Sequence, residues 1–528
     1  MLGLELVVAL GVAVLVSGVV AQRFRVAPPV VLLACGVLLG FVPDVLSVQL
    51  PSEVVLLLFL PALLYWESLS TSLREIRNNL RGIVLVSTVL VVVTAGAVAA
   101  AAHWLGMEWG PAWVLGAAVA PTDATAVGVL ARMLPRRLIT TLRAESLVND
   151  GTALVIFGLA LGITVGQQEF TVPHVGGLFV LAYVGGIAAG GVTAAVTIPI
   201  RRRLADPLLG NVAMILTPFL AFLLAEAIQA SGVLAVVTTG LIMSRVMPRI
   251  GRAETRQLSQ GFWGLATFLL NGALFVLVGL ESHAAVRGLA SGSLIRGLIT
   301  VGVVCVVLVV VRIVFLFVSV YIIRAVDRRP SQRLRRMSHR SRIVSGLSGF
   351  RGAVSLAAAL AVPKTVASGT PFPDQDMIVF VTAGVIIVTL VGQGLVLPSV
   401  VRWAHLPDDN AVAEERRLAQ RIATEEALAA MPLVADELGT DPDVVARLNK
   451  EFEKHLHVLH DGVEDDADGP ALRHDQHYTA LRLALLARKR ATVVRLRDEN
   501  RIDDTVLRQL QARLDIEEVR LSQRELVD

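Results

Sequence analysis

The stretch Glu145-Ser146-Leu147-Val148-Asn149-Asp150 lies inside an apolar run and sets a hydroxyl and a carboxylate four residues apart, on one face of a helix. Hard oxygen donors of this kind suit a small alkali cation. Burial disfavours the charged form of a lone carboxylate, so Asp150 can hold either a proton or a cation but hardly both. That exclusion is the physical basis of exchange, because each ion displaces the other from the same group. Asn149, and not a second acid, stands beside Asp150. One titratable carboxylate predicts one-for-one, electroneutral traffic.

Four further ionisable residues fall within apolar runs: Glu67, Asp123, Glu145 and Arg351. A charged side chain at the centre of a membrane helix costs about 2.5–3.5 kcal/mol even on insertion scales, so each needs a reason. The plain alternative for each is a buried pair that only holds helices together. Thr122 and Asp123 sit in Ala120-Pro121-Thr122-Asp123-Ala124-Thr125, where proline interrupts an apolar helix. An unwound turn there frees carbonyl oxygens for a cation shell between opposed helix ends. Arg351 lies in a second interruption, Ser345-Gly346-Leu347-Ser348-Gly349-Phe350-Arg351-Gly352, where it can offset carbonyl ends or pair with Glu145. Glu67 falls near one end of its span, where water can reach it. Arg312 is expected to snorkel to the interface, and Glu226 to line a helix contact. Half of the ten histidines (His455, His457, His460, His474, His477) lie in the last quarter of the chain in no zinc-ligand spacing and read as solvated surface.

These residues must be positioned by membrane helices. Only 17% of the 528 residues are charged and 54% are hydrophobic, against about 25% charged in soluble proteins. Apolar runs near twenty residues recur up to about Trp403, the length that a bilayer core of about 30 Å demands. About thirteen spans meet that criterion, among them Val54–Ser70 (third), Pro111–Met133 (fifth), Leu138–Val165 (sixth), Leu294–Ile323 (eleventh) and Ile343–Pro363 (twelfth). The residues before Leu6 hold Glu5 and no Lys or Arg, so the first run reads as a retained span and not a cleaved signal. Arg23/Arg25, Arg74/Arg77/Arg81, Arg132/Arg136/Arg137, Arg201–Arg203, Arg245/Arg249/Arg252 and the run Arg324–Arg342 all follow odd-numbered spans. Trp104–Pro111, Gln167-Gln168-Glu169 and Thr370–Asp376, after even-numbered ones, are neutral or acidic. Positive charge marks the cytoplasmic side, which places the N-terminus outside and the C-terminal part in the cytoplasm. With an odd count, spans one to six and eight to thirteen become inverted repeats, and the interrupted fifth and twelfth become partners.

Residues 1–404 therefore read as an all-α polytopic membrane domain with inverted repeats and two broken crossing helices. Residues 405–528 turn charged with helical spacing, over Ala411–Met431, Pro442–His460, Gln476–Asp498 and Ile502–Val527, and read as a small helical cytoplasmic domain. Asp461–Gly469 is an acidic linker within it. The two cysteines, both in apolar spans, indicate neither a disulfide framework nor a metal site, and the +4 charge, held in short loops, does not point to nucleic acid.

The motifs Glu145-Ser-Leu-Val-Asn-Asp150-Gly-Thr-Ala, Ala120-Pro-Thr-Asp123 and Gly349-Phe-Arg351-Gly-Ala-Val-Ser-Leu resemble those of the sodium/proton exchangers of the monovalent cation:proton antiporter-1 family. Leu60-Pro-Ala-Leu-Leu and Ala225-Glu226…Ser231-Gly-Val-Leu-Ala-Val are similar to it as well. The resemblance implies a thirteen-helix homodimer whose core carries the ion by an elevator-like movement. It implies Na+ and H+ binding at Asp150, with Ser146, the Thr122 main-chain oxygen and, through water, Glu67 as cation ligands. Asn149 and Asp123 would steady the crossing helices, and Glu145 and Arg351 would form a supporting ion pair. The Asn-Asp form goes with electroneutral exchange in that family. One departure is Ala124, where the family often has proline.

The expected partners are a monovalent cation, the proton, membrane lipid and a second copy of the chain, with no cofactor and an inner-membrane location. Potassium in place of sodium is the alternative on the same scaffold, since cavity size and ligand number decide between them. A sensor or channel with a signalling tail is the alternative of another class. A continuous pore would show repeated polar faces, whereas here the polar groups converge on two broken spans. No His/Glu metal constellation or paired nucleophile and base suggests an enzyme.

Overall fold

The computed structural model describes residues 2–24, 26–42, 55–71, 73–123, 134–166, 171–250, 253–288, 291–326, 338–366, 369–406, 411–461, 470–499 and 504–525. The second half of the expected fifth span with Ala124, the loop Gln167–Glu169, most of the run Arg324–Arg342 and nearly all of the acidic linker lie outside them. The chain divides into two compact units, Met1–Asp408 and Asp409–Asp528.

Helices are the only regular elements among the described residues of the first unit, apart from one isolated bridge between Thr365 and Pro371. In lipid every backbone N–H and C=O must be satisfied within the segment, which leaves helices as the economical answer for apolar runs. The helices are α1 (Leu2–Phe24), α2 (Pro28–Leu39), α3 (Leu60–Ser70), α4 (Leu73–Val84), α5 (Val91–Trp104), α6 (Trp109–Val119), α7 (Arg136–Val165) and α8 (Val172–Arg203). Then follow α9 (Pro207–Ala227), α10 (Gly232–Ile250), α11 (Ala253–Gly288), α12 (Ser291–Val326), α13 (His339–Leu347), α14 (Ala353–Leu360), α15 (Gln375–Val388) and α16 (Gly394–Ala404). Wide π turns, Leu85–Leu90 and Thr389–Gln393, join α4 to α5 and α15 to α16.

Among the described residues, nine helices are long and apolar enough to cross a membrane, and Pro28–Leu39, Leu57–Ser70 and Trp109–Val119 are shorter apolar ones. The expected twelfth span is not continuous. It is the pair α13 and α14, separated by Ser348–Gly352. The expected fifth span is helical only to Val119, and the chain unwinds through Pro121, Thr122 and Asp123.

Two bundles share this unit. In one, α2 packs on α11, α8 and α9 on α10, α10 on α3, and α1 on α2. In the other, α5, α6 and α7 pack in series, with α12 and α15 beside them and α13 and α14 at their ends. Small residues bring α2 and α11 together. A Cβ on Gly36 would meet the Val276 carbonyl oxygen at 2.0 Å, and one on Gly279 would meet that of Leu33 at 2.2 Å. Close backbone approach of this kind replaces the hydrophobic driving force that lipid removes. The outward stripes Val180/Val184 on α8 and Val306/Val310/Val314 on α12 are exposed apolar faces of the sort that lipid covers.

The second unit holds α17 (Ala411–Leu438), α18 (Pro442–Asp461), α19 (Pro470–Asp498) and α20 (Asp504–Glu525). The first pair packs together, as does the second. Arg482 reaches Glu517 at 3.0 Å, and Arg490 lies between Asp515, at 2.5 Å, and Glu518. These carboxylates hold the Arg490 guanidinium above its ordinary range. His457 is exposed on α18, and the side chains of the other four tail histidines lie outside the described residues.

Candidate ion-binding site

α7 presents Arg143, Ser146 and Asp150 on one face, at positions i, i+3 and i+7. Asp150 is 4% exposed and Ser146 3% exposed. Where α6 ends, its last turn gives way to Thr122, which is 7% exposed, and to the half-buried Asp123. The Asn149 amide donates to the Thr122 hydroxyl at 2.7 Å, tying α7 to the unwound segment. The Asn149 carbonyl oxygen is buried and finds no hydrogen-bond partner among the described residues.

The two interruptions meet. The Asp123 N–H donates to the Phe350 carbonyl at 2.8 Å. The Asp123 carboxylate lies against Gly352, where an added Cβ would come within 1.8 Å of Oδ2. Gly352 is the N-cap of α14, so the carboxylate faces the positive end of that half-helix. On the other side, Arg351 Nε donates to the Val119 carbonyl at 2.9 Å, and its Nη1 donates to the Gly349 carbonyl. Val119 closes α6, so a cation sits at the negative end of one half-helix and a carboxylate at the positive end of the other. This reciprocal neutralisation lets two helix ends meet in a buried place.

The expected pair of Glu145 with Arg351 is not formed. Glu145 is bound by Arg312, whose Nη1 and Nη2 both donate to it, the second at 3.2 Å. Arg312 Nε also donates to the Ser345 carbonyl at 3.1 Å. Arg351 is occupied with carbonyls, which was the other role its place in the chain allowed. Nor does Arg312 snorkel: it is 3% exposed, because Glu145 and the end of α13 supply inside the protein the partners it would otherwise seek in water. Glu226, in the last turn of α9, is exposed, and the backbone N–H of Gly232, the first residue of α10, donates to it, so it does bridge two helix ends.

A chamber of about 220 Å³ collects Glu67 from α3, Thr122 and Asp123 from the unwound segment, and Ser146 and Asp150 from α7. It opens at the seam of the two bundles. Arg143, Thr267 and Asn271 of α11, and Ser355 of α14 also line it. None of these four was singled out from the sequence. The spacing of Arg143 from Ser146 and Asp150 was a readable signal, and so was the depth of Arg312 in its apolar span. Thr267 and Asn271 had no such signal, since polar residues recur along that helix. Among the described residues no group of three or more His, Cys, Asp or Glu is placed to hold a resident metal.

A helical membrane fold in which two interrupted segments cross beside a carboxylate-lined chamber defines a secondary ion transporter. A model of the sodium/hydrogen exchanger transmembrane family matches residues 10–403, and the chain belongs to that family. It is 47% identical to an uncharacterized Na(+)/H(+) exchanger of Mycobacterium tuberculosis over 522 residues, 98% of this chain and 96% of the relative. It is 34% identical over 427 residues to the Na(+)/H(+) antiporter ApNhaP of Aphanothece halophytica, covering 80% of this chain and 77% of that one. A relative in Bacillus subtilis, named a sodium, potassium, lithium and rubidium/H(+) antiporter, is 30% identical over 396 residues, 72% of this chain and 59% of its own. The fold matches the sodium proton antiporter MjNhaP1 of Methanocaldococcus jannaschii at TM-score 0.60 and 18% identity, over 77% of this chain and 100% of that one. The protein is thus a multi-pass membrane transporter of the cation/proton exchanger kind and not an enzyme.

Proposed function

We propose that the protein exchanges Na+, with Li+ as an alternative cargo, for H+ one for one, and that Asp150 carries the two ions in turn. The observation behind this reading is the chamber, which brings a buried carboxylate, a buried hydroxyl and an unwound backbone to one place. The cation ligands are the Asp150 carboxylate, Ser146 Oγ and the Thr122 main-chain oxygen. The Thr122 hydroxyl is engaged by Asn149, which leaves the carbonyl for the ion. Glu67, across the chamber, acts through water, and a space of about 220 Å³ has room for it. Asp123, held at the α14 end, and Asn149, Glu145 and Arg351 maintain the crossing without exchanging ions.

The transporter works as a homodimer in the cytoplasmic membrane, with the N-terminus outside and the tail in the cytoplasm. The bundle that carries α7 and the crossed half-helices moves against the bundle that carries α3 and α11. Its role is the control of internal pH and sodium.

The test is dissipation of a pH gradient in proteoliposomes, with a fluorescent ΔpH dye and Na+, Li+, K+ or choline added in turn. Recovery with Na+ is expected to persist when the membrane potential is clamped at zero and to vanish in Asp150→Asn. Potassium is the second reading, supported by the Bacillus subtilis relative, a sodium, potassium, lithium and rubidium/H(+) antiporter by name. Recovery with K+ alone would select it, and no recovery with any cation from folded protein would sink exchange altogether.

A further inference from the structure

The basic residue in the chamber wall has no part in the exchange reading above. Arg143 is exposed, whereas Ser146 and Asp150, further along the same face of α7, are buried. Seven residues of helix rise about 10 Å. The chamber therefore opens at the Arg143 end and closes at Asp150. Among the described residues that line it, the charged ones are Glu67, Asp123, Asp150 and Arg143. An acidic vestibule would draw cations inward, and a guanidinium at its mouth opposes that.

We propose that Arg143 is an electrostatic brake on cation capture at Asp150. It holds back an incoming cation and weakens the hold on one already bound. This rests on the exchange reading, and its test is separable from it. Like charges about 10 Å apart change an equilibrium by roughly two- to fifteenfold as the effective dielectric falls from about 80 to about 20. The elements packed on α7 bring other charged groups. Glu67 comes from α3, Arg77 from α4, His103 from α5, Arg201–Arg203 from α8, and Arg245 and Arg249 from α10. Of these, only Glu67 lines the chamber with Arg143.

The competing ions carry the same charge, so removing the guanidinium strengthens Na+ and H+ binding by the same factor. In alkaline solution, where protons do not compete, the half-saturating Na+ concentration falls by that factor. In acid the two gains cancel. The pH at which half-saturation begins to rise with acidity therefore moves upward by roughly 0.3–1.2 units, the logarithm of the factor above.

The experiment measures Na+-driven proton flux in proteoliposomes against Na+ concentration from acid to alkaline pH, for the wild type, Arg143→Gln and Arg143→Lys. Ionic strength is varied with choline chloride. The expected result is a lower half-saturating Na+ concentration for Arg143→Gln in alkali only, which shrinks toward the wild type as salt screens the charge. Arg143→Lys should match the wild type. Equal half-saturation in all three, or a change that is insensitive to pH and salt, would overturn the brake while leaving exchange intact. A wild type with no cation-driven flux would overturn both.

Discussion

At the scale of single residues, the chamber separates groups that bind from groups that hold. Asp150 is buried and lines the chamber together with Ser146 and Thr122, and replacing it with the isosteric asparagine removes the charge without changing the shape. Asp150→Asn is expected to bring cation-driven proton flux down to that of empty liposomes, while the detergent-solubilised protein unfolds at no lower temperature, because a buried charge is costly to keep. Asn149 acts differently. Its amide bond to Thr122 is buried, and Asn149→Ala should cost about 1–3 kcal/mol of stability by leaving a buried partner unsatisfied, read as a lower denaturation midpoint. Glu145 and Arg312 distinguish the pairing seen here from the one expected. Removing either partner alone should destabilise by about 3–5 kcal/mol. In double-mutant cycles Glu145 should couple to Arg312 by more than 1 kcal/mol, about the range for residues in contact. Strong coupling of Glu145 to Arg351 with none to Arg312 would contradict the geometry.

At the scale of elements, the crossing of the interrupted segments depends on an absence of side chain. Gly352 has an ordinary extended backbone, so its requirement is one of space and not of φ. With Asp123 Oδ2 where its Cβ would stand, Gly352→Ala must push the carboxylate off the end of α14. The expected outcome is loss of exchange in protein that still inserts, since the helices themselves are unaffected. Asp123→Ala in the same background should not restore transport, because the half-helix end would then lack its carboxylate. Full activity of Gly352→Ala would mean that the two segments are not this close in the working protein. The α2–α11 glycine pair is a different case, where Gly279→Val should impair folding before transport.

At the scale of the molecule, the family match ends at residue 403, close to the limit of the first compact unit. The tail's own ion pairs lie within it and are exposed, so each contributes little. A chain cut after Asp408 is therefore expected to retain cation-driven exchange in proteoliposomes. Its loss, with the truncated protein intact in the membrane, would show that the tail is needed for transport.

The helical membrane fold was legible in the sequence, because lipid imposes span length and apolarity one segment at a time and each can be read locally. So were the positions of the interruptions, since Pro121 and the glycines near Arg351 announce themselves by type. That Glu67, Thr122, Ser146 and Asp150 belong to one site was implied by the resemblance to the exchanger family and not by their spacing. What the sequence could not decide was partnership across distance. Glu145 was expected to pair with Arg351, and Arg312 to snorkel to the interface, because chain position carries no measure of which side chain reaches which. Only the packing of α12 against α13 and beside α7 brings Arg312 to Glu145 and leaves Arg351 to the carbonyls of Val119 and Gly349. The same holds for Thr267 and Asn271, ordinary polar residues until the seam between two bundles turned them toward the chamber. Local chemistry is written along the chain, whereas the choice among possible partners is made where helices from distant parts of it come into contact.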